Sequence, residues 1–199
     1  TKGAQGSFDK LGKNFAKIGK NIAKVTAGIG IGLGVAVASQ IKPAIDAASD
    51  LSESINAVTV SFGDAAEGVL ALGENAARGL GLSKTELFGI ATQFSSFANT
   101  IAGEGGDIVK VVDDISNRGA DFASVFNLEV GDALAKFQSG LAGSSEPLRA
   151  YGIDLSAATV EAHALEMGIY DGVDAMTESE KVQARYSSLM EQTDKVTGD

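Results

Sequence analysis

The first apolar positions of the chain are Phe8, Leu11, Phe15, Ile18, Ile22 and Val25, spaced 3, 4, 3, 4, 3. That alternation keeps every apolar side chain on one narrow seam of a helix. Residues 11–24 spell one heptad almost twice, Leu-Gly-Lys-Asn-Phe-Ala-Lys and then Ile-Gly-Lys-Asn-Ile-Ala-Lys. Lys10, Lys13, Lys17, Lys20 and Lys24 keep the same rhythm and fall on the opposite face. Gly12 and Gly19 each weaken an isolated helix by about 1 kcal/mol relative to Ala, so the segment needs a packing partner. A strict seven-residue repeat favours a coil of its own copies. The lysine face over an apolar stripe also suits an anionic lipid surface, and an ordinary helix packed on a domain is the plain alternative.

From Val25 to Ile41 no charge occurs for 17 positions. As a helix this run would span roughly 25 Å, short of a bilayer core of about 30 Å. Gly28/Gly32 and Gly30/Gly34 form overlapping small-xxx-small pairs, which allow close helix approach in lipid or in a dense bundle. The run also alternates Gly or Ala with Ile, Leu or Val, a strand-like period of two. Its helical flanks favour helix, because glycines weaken strands as well. No Gly-x-Gly-x-x-Gly can be placed after a strand, so dinucleotide binding is not expected.

Lys42-Pro43 predicts a break or kink. Beyond it, Ile45, Ala48, Leu51, Ile55, Val58 and Phe62 form a helical stripe ending at Phe62-Gly63. Asp64 is placed to cap a helix over 65–80. Ser83-Lys-Thr-Glu86 is a capping box with Leu82 and Leu87 at the staple positions, opening a helix to about 99–102. After the Gly103–Gly106 loop, Asp107 caps a helix carrying Ile108, Val111, Val112, Ile115, Phe122 and Phe126, with a perturbation expected at Gly119. Leu134 and Phe137 point inward from a shorter helix ending near Leu141. A brief helical turn follows Pro147, Ser156 opens a helix through Met167, and Thr177-Glu-Ser-Glu180 is a second capping box for a helix to about Val196. The expected fold is all-α. An amphipathic coiled-coil helix and a Gly-rich apolar helix occupy residues 1–42, and a multi-helix domain of short capped helices occupies residues 43–199.

Charge sharpens that division. Residues 1–42 hold seven Lys against one Asp, a balance of +6, and residues 43–199 hold nine Lys/Arg against 25 Asp/Glu, a balance of -16; together these give the net -10. An acidic body repels nucleic acid, and the basic head has no interleaved aromatics to stack bases, so no specific nucleic-acid binding is expected. With no Cys, disulfides and thiolate metal sites are excluded. The single imidazole, His163, excludes chemistry that needs two within one chain. His163 beside Glu161 and Glu166 reads as a surface or partly buried structural histidine, and the Asp113-Asp114 pair and the Glu178/Glu180 cluster as ordinary helix-surface groups. Nucleophile elbows, zinc-protease helices, calcium loops and phosphate loops are missing, so neither an enzyme nor a cofactor nor a metal site is expected. The chain opens on Thr1 and ends in Val-Thr-Gly-Asp199, which reads as a window of a longer polypeptide.

Four passages occur in an order that resembles one family. They are Ile55-Asn-Ala-Val-Thr-Val-Ser-Phe-Gly-Asp64, Gly81-Leu-Ser-Lys-Thr-Glu-Leu87, the block from Phe137-Gln-Ser-Gly-Leu-Ala-Gly through Tyr151-Gly-Ile-Asp-Leu-Ser156, and Met176-Thr-Glu-Ser-Glu through Gln192-Thr193. Together they resemble the tail tape measure proteins of long-tailed phages over roughly residues 50–199. The resemblance implies a virion protein present in several copies in the tail tube lumen, in contact with tail tube and tail tip proteins. It implies that the protein's length sets that of the tail, and that it leaves at infection to help DNA across the host envelope. It also implies a homo-oligomer, with three copies one arrangement; Phe15, Ile18 and Ile22 do not fix the number. Short capped helices in place of one long rod place the ruler proper outside the window. The rival expectation is a membrane-active, pore-forming helical protein, in which Lys10–Lys24 meet anionic lipid and Val25–Ile41 insert.

Overall fold

The computed structural model describes residues 34–74 and 76–196. Among them there are helices and turns and no strand. The contacts divide the chain at Ser49/Asp50 into two units, and the fold below is that of the unit from Asp50. The helices are α1 (Gly34–Phe62), α2 (Ala66–Leu72), α3 (Ala76–Gly79), α4 (Lys84–Ala102), α5 (Ile108–Phe126), α6 (Val130–Leu141), α7 (Glu146–Arg149), α8 (Ala157–Glu166) and α9 (Glu178–Gln192).

The strongest local signals act as the sequence predicts. Ser83 Oγ accepts from the Glu86 amide and the Glu86 carboxylate accepts from the Ser83 amide, closing the capping box of α4. Thr177 and Glu180 do the same for α9. Asp107 caps α5 through the Lys110 amide at 2.9 Å. Each such cap satisfies backbone donors that the first helical turn leaves without partners.

Three local expectations are corrected. First, of the break or kink expected at Lys42-Pro43, the break does not occur: α1 runs through those residues. Second, Asp64 caps nothing: a 3-10 turn, Gly63–Ala65, leads into α2, whose first turn has no side-chain cap. The helix expected over 65–80 divides into α2 and α3, and the Phe88 ring packs against the backbone at Gly73, where α2 ends and a Cβ would lie 2.6 Å from the ring. Ala76, Leu82 and Leu87 then close a small cluster of their own under that turn. Third, Gly119 does not perturb α5, which continues to Phe126 and ends on Asn127 in the left-handed conformation at φ 53°. Gly119 is a contact point of α5 with α6, with Leu134 occupying the space a side chain would take.

The core gathers the inward faces of α2, α4, α5, α6 and α9. Its centre is Phe122, whose ring lies 4.6 Å from Phe126, 5.2 Å from Phe137 and 5.2 Å from Tyr151, centroid to centroid. The contacts with Phe137 and Tyr151 are edge-on, the arrangement that ring quadrupoles favour. α9 completes the unit by packing on α4, α6 and α8 through buried Ala184, Ser188 and Leu189.

Residues Asp46–Leu72 are, by length and a mean hydropathy of 1.2, apolar enough to cross a membrane. Core helices pass the same test, and Val58, Phe62, Ala66 and Val69 from this stretch are buried in the core.

Candidate functional site

The association surface read from the sequence lies outside the described residues. That holds for the seam Phe8, Leu11, Phe15, Ile18, Ile22 and Val25, for Lys10, Lys13, Lys17, Lys20 and Lys24, and for Gly28, Gly30 and Gly32. Gly34 is described, as the first residue of α1, and the apolar run is helical from there to Ile41.

What the structure brings together is a junction built by the block 137–156 against α9. Gly140 lets α6 meet the following loop: a Cβ there would stand 2.6 Å from Leu148 Cδ1 and 2.9 Å from Leu155 Cδ1. Gly143 turns the chain at φ 101°, beneath the Arg185 guanidinium, which donates to the Leu141 carbonyl at 3.2 Å. Asp154 then fastens the loop twice. Its amide donates to Gln192 Oε1 at 2.8 Å while Gln192 Nε2 donates back to its carbonyl at 2.9 Å. Its carboxylate accepts from the Ser156 amide at 2.9 Å and the Thr159 hydroxyl at 2.7 Å. Those donors, Thr159 first and then Ser156, hold the Asp154 carboxyl below the usual carboxylate range. Sequence reading assigned the start of α8 to Ser156; the side chain that organises that start is Asp154, two residues earlier.

His163 on α8 faces α9. Nε2 lies 3.0 Å from Ser187 Oγ and Nδ1 lies 3.3 Å from Glu191 Oε2. Ser187 and Glu191 are four apart on α9, so one helical face presents both to the ring. The order Ser–His–carboxylate resembles the relay of acyl-transfer sites, and sequence spacing could not have shown it. Such a site also needs donors aimed at a developing oxyanion. Ser187 stands inside α9, where an interior residue's own N–H is committed to the helix. The arrangement therefore reads as a tether between two helices. Glu191 is 72% exposed, so water screens its share.

A shallow polar groove of about 440 Å³ lies between α5 and α9, lined by Lys110, Asp114, Arg118, Asp121 and Tyr186 among others. Lys110 pairs with Asp114 at 2.6 Å, Arg118 with Asp194 at 3.4 Å, and the Tyr186 hydroxyl donates to Asp114 at 3.4 Å. Burial and then the Asp114 charge push the Tyr186 phenol up to about 12. The neutral phenol is thus favoured by folding. Its contribution is complete below the unfolded value near 10 and is lost as pH rises through about 12. Absorbance titration at alkaline pH should show a late phenolic step that Tyr186→Phe removes. If that variant instead removed a step near the ordinary phenol value, Tyr186 would not be buried beside Asp114 in solution.

Among the described residues no group of His, Asp and Glu has the arrangement to hold a metal ion. Comparison with protein families, with curated proteins and with solved structures finds no match to this chain.

Proposed function

We propose that this chain is a segment of a phage tail tape measure protein, a structural component of the tail tube lumen that sets tail length and is released at infection to aid DNA delivery. The observation that carries the reading is the ordered set of four passages over residues 55–193. Their places in the fold support treating them as one set. The first ends α1, the second and fourth hold the capping boxes of α4 and α9, and the third is the junction closed by Asp154 and Gln192. Peptides from residues 137–156 and 176–193 in purified tail particles are the expected result. Their absence from particles of a phage that encodes the chain would overturn the reading.

The heptad supplies the association such a protein needs. Its apolar seam runs through Phe15, Ile18 and Ile22, and an aspartate in that seam would place a charge in an apolar interface. Sedimentation of the full chain should therefore give an oligomer that Ile18→Asp with Ile22→Asp reduces to monomer. A wild-type chain that stays monomeric at high concentration removes self-association from the proposal. The membrane-active alternative keeps one sequence observation, the uncharged run Val25–Ile41 beside the lysine stripe. Leakage of anionic vesicles that falls on changing those lysines to Glu would favour it, and no vesicle binding at low salt would end it.

A further inference from the structure

Between α8 and α9 the chain makes a step found nowhere else in it, Asp171-Gly172. The loop that carries it is pinned at both ends. Gly168 turns the chain out of α8 at φ 67°, and the Ile169 amide returns to the Ala164 carbonyl at 2.9 Å. At the other end the capping box of Thr177 and Glu180 fixes the start of α9. Inside the loop the Tyr170 hydroxyl donates to the Asp174 carbonyl, and the Val173 amide donates to Asp171 Oδ1 at 3.0 Å.

An aspartate places its carboxyl carbon where the next residue's main-chain nitrogen can close a five-membered ring on it. The ring is ordinarily opposed by that residue's side chain, which restricts the backbone, or by a nitrogen already committed to a hydrogen bond. Neither obstacle is present here. Gly172 has no side chain and turns at φ 79°, and its amide has no hydrogen-bond partner among the described residues. Asp171 and Gly172 are both exposed, so water reaches the step. The bond from the Val173 amide to Asp171 Oδ1 spans the intervening Gly172 peptide and folds the carboxyl back over it. Groups held close in this way react as though highly concentrated.

We infer that Asp171-Gly172 is a self-modification site, at which the folded chain passes through a succinimide to isoaspartate. The Gly172 nitrogen forms a bond to Asp171 Cγ, and one carboxyl oxygen leaves as water with the amide proton and the carboxyl proton. Water then adds to the main-chain carbonyl carbon of Asp171, whose bond to the Gly172 nitrogen breaks as a proton returns to that nitrogen. Nothing is oxidised or reduced, and the product has the mass of the original. Its main chain now runs through Cβ and Cγ, one carbon longer, and its carboxylate stands on the former carbonyl carbon. The bond from Val173 to Asp171 Oδ1 is lost in its present form, so conversion reshapes an exposed loop between two ends held by their own bonds. Asp174 lies in the same loop but is followed by Ala175, which makes it the internal comparison.

The full chain is held for several weeks in warm neutral buffer made with water enriched in heavy oxygen, then digested and mapped by mass spectrometry with electron-transfer fragmentation. Isoaspartate carrying one heavy oxygen is expected at Asp171 and not at Asp174. Its rate of appearance should lie within a few-fold of that in a free peptide spanning the loop, because the folded loop leaves the Gly172 amide unengaged. Gly172→Ala should slow the conversion about tenfold, since a side chain there restricts the backbone that must turn. Asp171→Glu keeps the charge and should give no product, because its longer side chain would have to close a larger ring. An unchanged far-UV spectrum confirms that both variants fold. Absence of isoaspartate at Asp171 in the folded chain, equal conversion at Asp174, or an unaltered rate in Gly172→Ala overturns the inference.

Discussion

Phe122→Ala should destabilise the unit from Asp50 by about 3–5 kcal/mol, the cost of emptying a large aromatic site in a packed core. The ring is 1% exposed and meets Phe126, Phe137 and Tyr151 at once, so no single neighbour can move in to fill the space. Against a typical total of about 5–15 kcal/mol, that loss consumes a large share of the margin. A urea titration should show the midpoint falling with the slope little changed. A loss below about 1 kcal/mol would mean that this aromatic cluster is not the centre of the core. Val125, three residues along the same helix, is 42% exposed; its change to Ala should cost far less and serves as the control.

The second large effect concerns two glycines inside helices. On propensity alone, replacing either by Ala gains about 1 kcal/mol. For Gly89 in α4 that gain should be realised, because nothing lies within 4 Å of the position a Cβ would take. For Gly119 in α5 the sign should reverse. The added carbon would stand 2.3 Å from Leu134 Cδ2 and 2.7 Å from its Cγ, and Leu134 is 1% exposed with no open side to move into. Overpacking of this kind costs about 1–3 kcal/mol, enough to outweigh the propensity gain, and Gly119→Val should cost more still. Thermal melts of Gly89→Ala and Gly119→Ala measured side by side test the argument. Similar shifts in both would show that α5 and α6 can separate at low cost.

The same pair marks the boundary of what a sequence reading can reach. Both are single glycines inside helices; helical spacing puts Gly119, between Ile115 and Phe122, on the inward stripe and Gly89 off it, but does not say what Gly119 touches. One faces open space and the other touches a helix whose contact residue lies fifteen positions away. The capping boxes at Ser83 and Thr177 were legible because their physics is local: the side chain, the amide it accepts from and the reciprocal carboxylate lie within four residues. Asp107 was legible for the same reason. Asp64 has the right residue type before a helix, and the chain around it makes a 3-10 turn instead.

The block 137–156 shows the boundary within one stretch of chain. Its residues were read from sequence as a loop, a brief helical turn and the opening of a helix, and those elements form. Its purpose in the fold depends on Gln192, thirty-eight residues beyond Asp154, and on Arg185 over Gly143. His163 likewise read as an ordinary helical histidine, and its place between Ser187 and Glu191 arises only when α8 and α9 pack.

By itself the sequence determined the all-α class, the inward stripes, the charge division between head and body, and most helix starts. Each depends on side chains within a turn or two of one another, where spacing along the chain is spacing in the helix. The tertiary structure alone decided that Gly119 is a contact point, that α2 and α3 separate at Gly73, and that Asp154 is clamped by Gln192. Those outcomes depend on which faces of distant helices meet. That is decided by how side-chain volumes fill the space between helices, a property of the whole unit that no local pattern carries.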